Sequence, residues 1–312
     1  MGKGPNQEYV CVVNRDSAYK NKYFGDHHEF NPWNSSWDYH NFRDSNIEDY
    51  TKAINYFLKK GFFVIRMGKS VEKELVINDK NFIDYSKSKF RSDFLDVFLF
   101  YNSRLNLVSE SGILVASMIF RKPMCSVNFA EFAGLQTWHK KNIIIFKKYW
   151  SKKMKRFLSL KELIKLSKDS SSAKTVERRQ LLYDQWRKVT SKNLYIPFNH
   201  FLRSNDNPKF IKLNKDGKVN DNSKELPMGS YGLLELQRSK DIEIFDNTPE
   251  EIMEACEELD KRISGEWIKK NETENLQKKF WDIYPTDLYS HGVIRSRIGE
   301  NFLKKNNFLL DK

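Results

Sequence analysis

Short apolar, β-branched runs alternate with stretches of helical periodicity over roughly the first 130 residues, which is the pattern of a parallel sheet with crossover helices. Tyr9–Val13 reads as the first strand, and a long polar and aromatic loop follows it. Ser45 is then expected to cap a helix in which Ile47, Tyr50, Ile54, Phe57 and Leu58 recur at helical spacing, with Asp49 in its first turn and Gly61 as its stop. Phe62–Ile65 is a buried strand and Phe82–Tyr85 the next one. A helix from about Phe90 to Asn102 puts Phe94, Val97, Phe98 and Tyr101 on one face. Leu105–Val108 as strand, Ile113–Phe120 as helix and Met124–Val127 as strand complete the series. The expected fold class is α/β, a Rossmann-like parallel sheet.

Beyond that series the signal changes. Leu158–Val189 has helical periodicity, broken around Asp169–Ser172, and residues 205–229 form a polar, Gly- and Asn-rich insertion. Ile242–Phe245 reads as a return strand. Thr248-Pro249-Glu250-Glu251 then opens a helix to Ile263, with Thr248 as N-cap, Pro249 at the first helical position and Glu251 closing a capping box. The expected division is a linker over residues 1–8, a ligand-binding domain over 9–150 and a largely helical part over 151–312.

At 312 residues the chain is long enough to bury a substantial core. A mean hydropathy of −0.68, with no run near the ~20 apolar residues that span a bilayer, argues against a membrane-spanning protein. Cys11, Cys125 and Cys256 are odd in number and lack Cys-x-x-Cys spacing, so neither a disulfide framework nor a thiolate zinc site is indicated and a cytoplasmic location fits. Lys and Arg total 54 against 41 Asp and Glu, a net charge of +13 that favours anionic partners. Much of that excess is Lys scattered among Asn and Ile. The densest basic stretch, His139 to Phe157, is expected to be a solvated helix with a few packed aromatics, with an anionic membrane surface or RNA as its other readings. No nucleic acid is expected as a partner.

In an open parallel sheet, ligands bind beyond the carboxyl ends of the strands, where helix N-termini converge. The strand Leu105–Val108 runs into Ser109-Glu110-Ser111-Gly112 and then into an apolar helix. Gly112 lets backbone approach a ligand, the amides of Ser111 to Leu114 are expected to point outward unpaired, and the helix dipole favours an anion. Glu110 would repel a diphosphate and suits hydrogen bonds from sugar or ribose hydroxyls. A tight turn that binds nothing is the structural alternative. Arg15 and Asp16 lie just past the first strand, with Arg43 in the same loop. An Arg here can clamp a pyrophosphate and stabilise a leaving diphosphate, and Arg15 and Asp16 are the expected catalytic pair. An Arg–Asp ion pair that shapes the loop is the alternative. Arg66 and Gly68 follow the second strand with the same topological claim.

The run Phe-Arg-Ser-Asp-Phe-Leu-Asp-Val-Phe-Leu from Phe90, the Ser-Glu-Ser-Gly turn, and Phe120-Arg121-Lys122-Pro123-Met124 before a strand ending in Asn128 resemble the donor-binding half of GT-B glycosyltransferases such as the heptosyltransferases. Further segments resemble a family of bacterial glycosyltransferases of surface-carbohydrate synthesis: residues 12–19, 41–47, 64–68, 246–252 and 296–303. The resemblance implies a donor domain that holds the diphosphate of a nucleotide-sugar at Ser109–Gly112 and contacts its base through Tyr85 and Ser86. It implies sugar transfer without a metal or other cofactor to a glycan or lipid-linked acceptor at the inner face of the membrane. A GT-B enzyme carries its acceptor domain ahead of the donor domain. With the first strand already at Tyr9, that part is expected to be supplied elsewhere. Rival readings are another group-transfer enzyme on the same scaffold, such as a polysaccharide pyruvyl transferase, or a basic nucleic-acid-binding protein.

Other candidates are weaker. Asp93 and Asp96 share a helix face but form no Asp-x-Asp, and the loop around Gly217 lacks carboxylates at Lys212 and Ser223, where a calcium loop needs them. His27, His28 and His40, beside Trp33 and Trp37, make the first loop a candidate wall for a sugar and a source of a general base.

Overall fold

Strands buried on both faces of a sheet read as unbroken apolar runs, because neither side chain of an alternating pair meets water. Five such runs form the centre of a seven-stranded, all-parallel sheet in the computed structural model of the chain, which describes residues 7–24, 41–130, 135, 137, 139–169, 241–284 and 294–311. In chain order the strands are β1 (Tyr9–Val13), β2 (Phe63–Arg66), β3 (Phe82–Asp84), β4 (Leu105–Val108), β5 (Met124–Phe129), β6 (Asn142–Phe146) and, far along the chain, β10 (Arg297–Ile298). Their spatial order is β3-β2-β1-β4-β5-β6-β10, with Val10 in register between Val64 and Leu105. The architecture is Rossmann-like α/β.

Alternation divides β1 between two cores. Val10 and Val12 join Val64, Leu105, Leu107, Cys125 and Val127 on one face, beneath α2 (Thr51–Lys59), α6 (Pro249–Ser264), α7 (Asn271–Ile283) and α8 (Glu300–Lys305). Cys11 and Val13 join Ile65, Val108 and Met124 on the other, beneath α3 (Asp93–Asn102) and α4 (Leu114–Ile119). The helices are positioned by local chemistry. Gly61 ends the α2 turn at φ +84°, and α6 opens with the capping box of Thr248 and Glu251 and closes on Gly265 at φ +77°. The remaining helices are α1 (Ala18–Phe24) and α5 (Leu160–Asp169). No described helix is long and apolar enough to cross a membrane.

Several expectations need correction. Ser45 does not cap the helix of residues 47–59: a 3-10 turn, Ile47–Tyr50, precedes α2, and Asn46 accepts the capping bond from the Glu48 amide, while the Ser45 hydroxyl bonds the Tyr50 phenol at 3.0 Å. The basic stretch 139–157 is not a helix. Its apolar Asn142–Phe146 core is β6, and β7 (Lys148–Ser151) pairs antiparallel with β8 (Arg156–Phe157) and with β9 (Ile242–Phe245) in a separate three-stranded sheet. Burying Ile143 to Phe146 between β5 and β10 outweighs any helical preference of the flanking lysines. The expected return strand therefore pairs outside the main sheet. Residues 170–189, the insertion 205–229 with its Gly217 loop, and His27, His28, Trp33, Trp37 and His40 lie outside the described residues.

Candidate functional site

Crossovers leave β1 in one direction to β2 and β3, and reach β4, β5 and β6 in the other, so the strand order reverses between β1 and β4. In sheets of this kind the crevice for a ligand lies at such a reversal. Two backbone-directed bonds fix its walls: the Arg15 amide donates to Ser109 Oγ at 2.6 Å, and the Ser109 amide donates to the Val13 carbonyl at 3.0 Å. The segment 41–46 is sewn onto the same place, because Asn14 Nδ2 donates to the Ser45 carbonyl at 3.1 Å and the Ser45 amide to the Arg15 carbonyl at 3.0 Å.

Charges converge on this framework. The buried Arg15 guanidinium pairs with Asp44, whose carboxylate also accepts from the Ser17 hydroxyl. Burial pushes the Asp44 carboxyl up, against the pull of Arg15, Ser17 and Lys147. Lys147, just beyond β6 and only 3% exposed, donates to the Asp44 carbonyl at 2.6 Å and pairs with Asp246 at 2.7 Å. Glu110 is buried: its Oε2 accepts from the Ala130 amide at 2.9 Å and its Oε1 lies 3.9 Å from Arg43 Nε. Asp16 accepts from two amides, those of Ala18 and Glu72, both at 3.1 Å, and so holds the β2 loop against the β1 loop.

The turn after β4 is more closed than expected. The Leu114 amide donates to Ser111 O at 3.2 Å and the Val115 amide to Gly112 O at 3.3 Å, so Leu114 does not present an unpaired amide. Over Gly112 the space is open: a Cβ added there would meet nothing within 4 Å. The Ser111 hydroxyl has no hydrogen-bond partner among the described residues.

A cleft of about 320 Å³ opens beside the crevice, lined by Asn14, Asp16, Asp44, Ser45, Asn46, Ile47, Glu72, Lys73 and Asp246. It is rich in acceptors. Asn14 is 8% exposed, and with its Nδ2 committed to Ser45 its Oδ1 has no partner among the described residues. Glu72 is pushed up by desolvation and then by Asp16 and Asp44, and Asp49 nearby by burial and then by Asp246 and Glu48. Carboxylates outnumber Lys73 in this lining, so a group rich in hydrogen-bond donors suits the cleft.

The candidates of the β2 and β3 ends form a second group, bonded among themselves. Arg66, fully buried, pairs with Asp84 at 3.0 Å, and its Nε and Nη2 have no partner among the described residues. The Ser86 hydroxyl donates to the same Asp84. Tyr85 is fully buried, its hydroxyl accepting from the Ser92 amide at 3.0 Å at the start of α3. Gly68 is fixed by packing, since a Cβ there would lie 2.7 Å from Val71 Cγ1.

No family model, curated protein or solved structure matches the chain. What the site can do rests on its own chemistry. Among the described residues no group of three or more His, Cys, Asp or Glu side chains is placed to hold a metal ion.

The sequence reading missed Asp44, Lys147, Asp246 and the acceptor role of Asn14. Lys147 had a usable signal, because it follows an apolar run of strand length and so ends on the same sheet edge. Asp246 had none: it arrives from a strand of the other sheet.

Proposed function

We propose that the chain is the donor-binding part of a glycosyltransferase, taking a nucleoside-diphosphate sugar at the β1–β4 crevice. The observation that carries this reading is the division of the site. Two guanidinium groups, Arg15 and Arg43, and the Ser111–Gly112 turn with open space over Gly112 stand at the switch point, while the adjoining cleft is lined chiefly by acceptors, with Lys73 among them. A nucleotide-sugar has the matching division, an anionic diphosphate beside groups whose many hydroxyls donate hydrogen bonds. The sheet topology supports it independently, since ligands of such sheets bind where the strand order reverses.

In the transfer, an acceptor hydroxyl oxygen forms a bond to the anomeric carbon as the bond from that carbon to the diphosphate breaks. The diphosphate leaves with the electron pair, and the acceptor proton passes to a base. Arg15 and Arg43 stabilise the charge that develops on the leaving group. Asp16, next to Arg15, is the carboxylate of this loop that we assign as base. The GT-B type of the domain and the glycan or lipid-linked nature of the acceptor belong to the same proposal.

Titration of the chain with nucleoside diphosphates, read by thermal shift and calorimetry, tests it. A nucleoside diphosphate at a hundred times its dissociation constant should stabilise by about 2.7 kcal/mol. Gly112→Val should keep the fold, because nothing stands within 4 Å of the new Cβ, and lose the diphosphate, because a branched side chain then fills the approach to the turn. Absence of stabilisation by any nucleoside diphosphate, or unchanged affinity in folded Gly112→Val, would reject the reading.

A further inference from the structure

Helix α3 is apolar on two sides. Phe100 is wholly buried against the sheet, with Leu95 and Leu99 packed beside it. Phe94, Val97, Phe98 and Tyr101, spaced three and four apart, stand outward, with Phe94 76% exposed and Phe98 46%. Phe90 before the helix and Ile119 on α4 extend the exposed set. The Phe94 and Phe98 rings stack at 5.9 Å, and Tyr101 meets Phe120 edge-on at 5.0 Å, which joins α3 to α4 as one continuous apolar face. Large apolar side chains grouped in this way mark an interaction surface, whereas singly scattered ones do not.

Both ends of the stripe are basic. Lys87 and Lys89 precede α3, with Lys89 Nζ over the Phe90 ring at 5.3 Å, and Arg121 and Lys122 follow Phe120. Carboxylates on this side are already paired: Asp93 with Lys69 and Arg91, Asp96 with Arg91, and Glu74 with Lys87. Cations therefore outnumber carboxylates around the face.

We propose that this face docks on an anionic lipid bilayer, with the rings entering the boundary between headgroups and acyl chains and the flanking cations meeting lipid phosphates. A second copy of the chain fits it poorly. With positive charge at both ends of the stripe, self-pairing in either direction sets like charges against each other, whereas an anionic surface satisfies rings and cations together. The cleft lies at the strand ends and not on this face, so docking leaves it open.

Flotation of the full chain with vesicles tests the proposal, using phosphatidylcholine alone and phosphatidylcholine mixed with phosphatidylglycerol. The chain should float with the anionic vesicles, bind the neutral ones weakly, and lose affinity as salt rises. Phe94→Ser with Phe98→Ser should lower binding about tenfold or more through the apolar area lost. Lys89→Glu with Arg121→Glu should lower it about twentyfold or more, at roughly fivefold for each of the two cations lost. All four side chains are exposed, so melting curves should match the parent. Ile119→Glu on α4 gives an independent variant on the second helix. Failure of the parent chain to float with anionic vesicles, or binding that none of these variants weakens, overturns the proposal. So does a dimer in light scattering that Phe94→Ser with Phe98→Ser splits into monomers, which would assign the face to a second copy.

Discussion

Asn247 joins the two sheets through a reciprocal amide pair, and its removal gives the sharpest test of how the site edge is held. Its Oδ1 accepts from the Asn128 amide at 2.6 Å, its amide donates to Asn128 Oδ1 at 2.6 Å, and its Nδ2 donates to the Phe146 carbonyl at 2.6 Å. Asn128 ends the regular part of β5 with φ +51°, a conformation that non-glycine residues adopt only when the surroundings fix it. Asn247→Ala deletes two of the three bonds and leaves the Asn128 amide without its acceptor in a place where both residues are 0–1% exposed. A stranded buried donor costs about 1–3 kcal/mol, and the second lost bond adds about 1, for a total of roughly 2–4 kcal/mol. In a chain of this size that lowers the melting temperature by roughly 3–6 °C. Urea unfolding of the parent and the variant measures it directly. Asn102→Ala, which removes an exposed bond from Asn102 Nδ2 to the Phe98 carbonyl, is the control and should stay within about 0.5 kcal/mol. A loss below about 1 kcal/mol for Asn247→Ala would refute the reasoning, and would mean that water or a shifted backbone satisfies Asn128.

Two further outcomes are expected. Glu258, 2% exposed on α6, has its carboxyl pushed up from 4.5 to about 7 by desolvation, against the opposing pull of Arg262 and the Glu300 amide. Because the folded chain then holds a proton that the unfolded chain releases between those values, stability should fall as pH rises from about 4.5 to 7, by up to about 3 kcal/mol. Glu258→Gln should flatten that slope, and an unchanged slope in urea unfolding across the window would count against it. Gly299→Ala should cost about 1–3 kcal/mol, since its Cβ would lie 2.8 Å from Ile145 Cγ2 and 3.4 Å from Phe302 Cβ; a variant as stable as the parent would show that this corner yields.

Much of the fold was legible where local and tertiary preferences agree. Tyr9–Val13 and Leu105–Val108 appear with the expected bounds, and the Thr248–Glu251 capping box opens α6 as its sequence requires. Legibility failed where the deciding partner is remote. Arg297–Ile298 is a strand only because Ile143 and Ile144 lie beside it, and two residues carry no period. In residues 139–157, lysines around a four-residue apolar run masked a central strand. Periodicity also found the apolar stripe of α3 but could not say whether it faces core or water, since the helix has apolar residues on both sides. At the site, strand ends placed Arg15, Ser109 and Gly112 together, as topology requires. The acceptor-rich character of the cleft was hidden, because Glu72 and Asp246 reach it from segments that share no local pattern with β1.

The pairing of β10 with β6 bears on how the chain is made. Ile143 and Arg297 are about 150 residues apart, and a ribosome adding roughly 5–20 residues each second needs on the order of ten to thirty seconds to produce the second after the first. Throughout that interval β6 has one unpaired edge, formed by a run of three isoleucines and a phenylalanine. An apolar open edge of that kind recruits strands from neighbouring nascent chains. On a crowded polysome, the yield of native protein therefore depends on how well this edge is shielded while the half of the polypeptide between β6 and β10 is being translated.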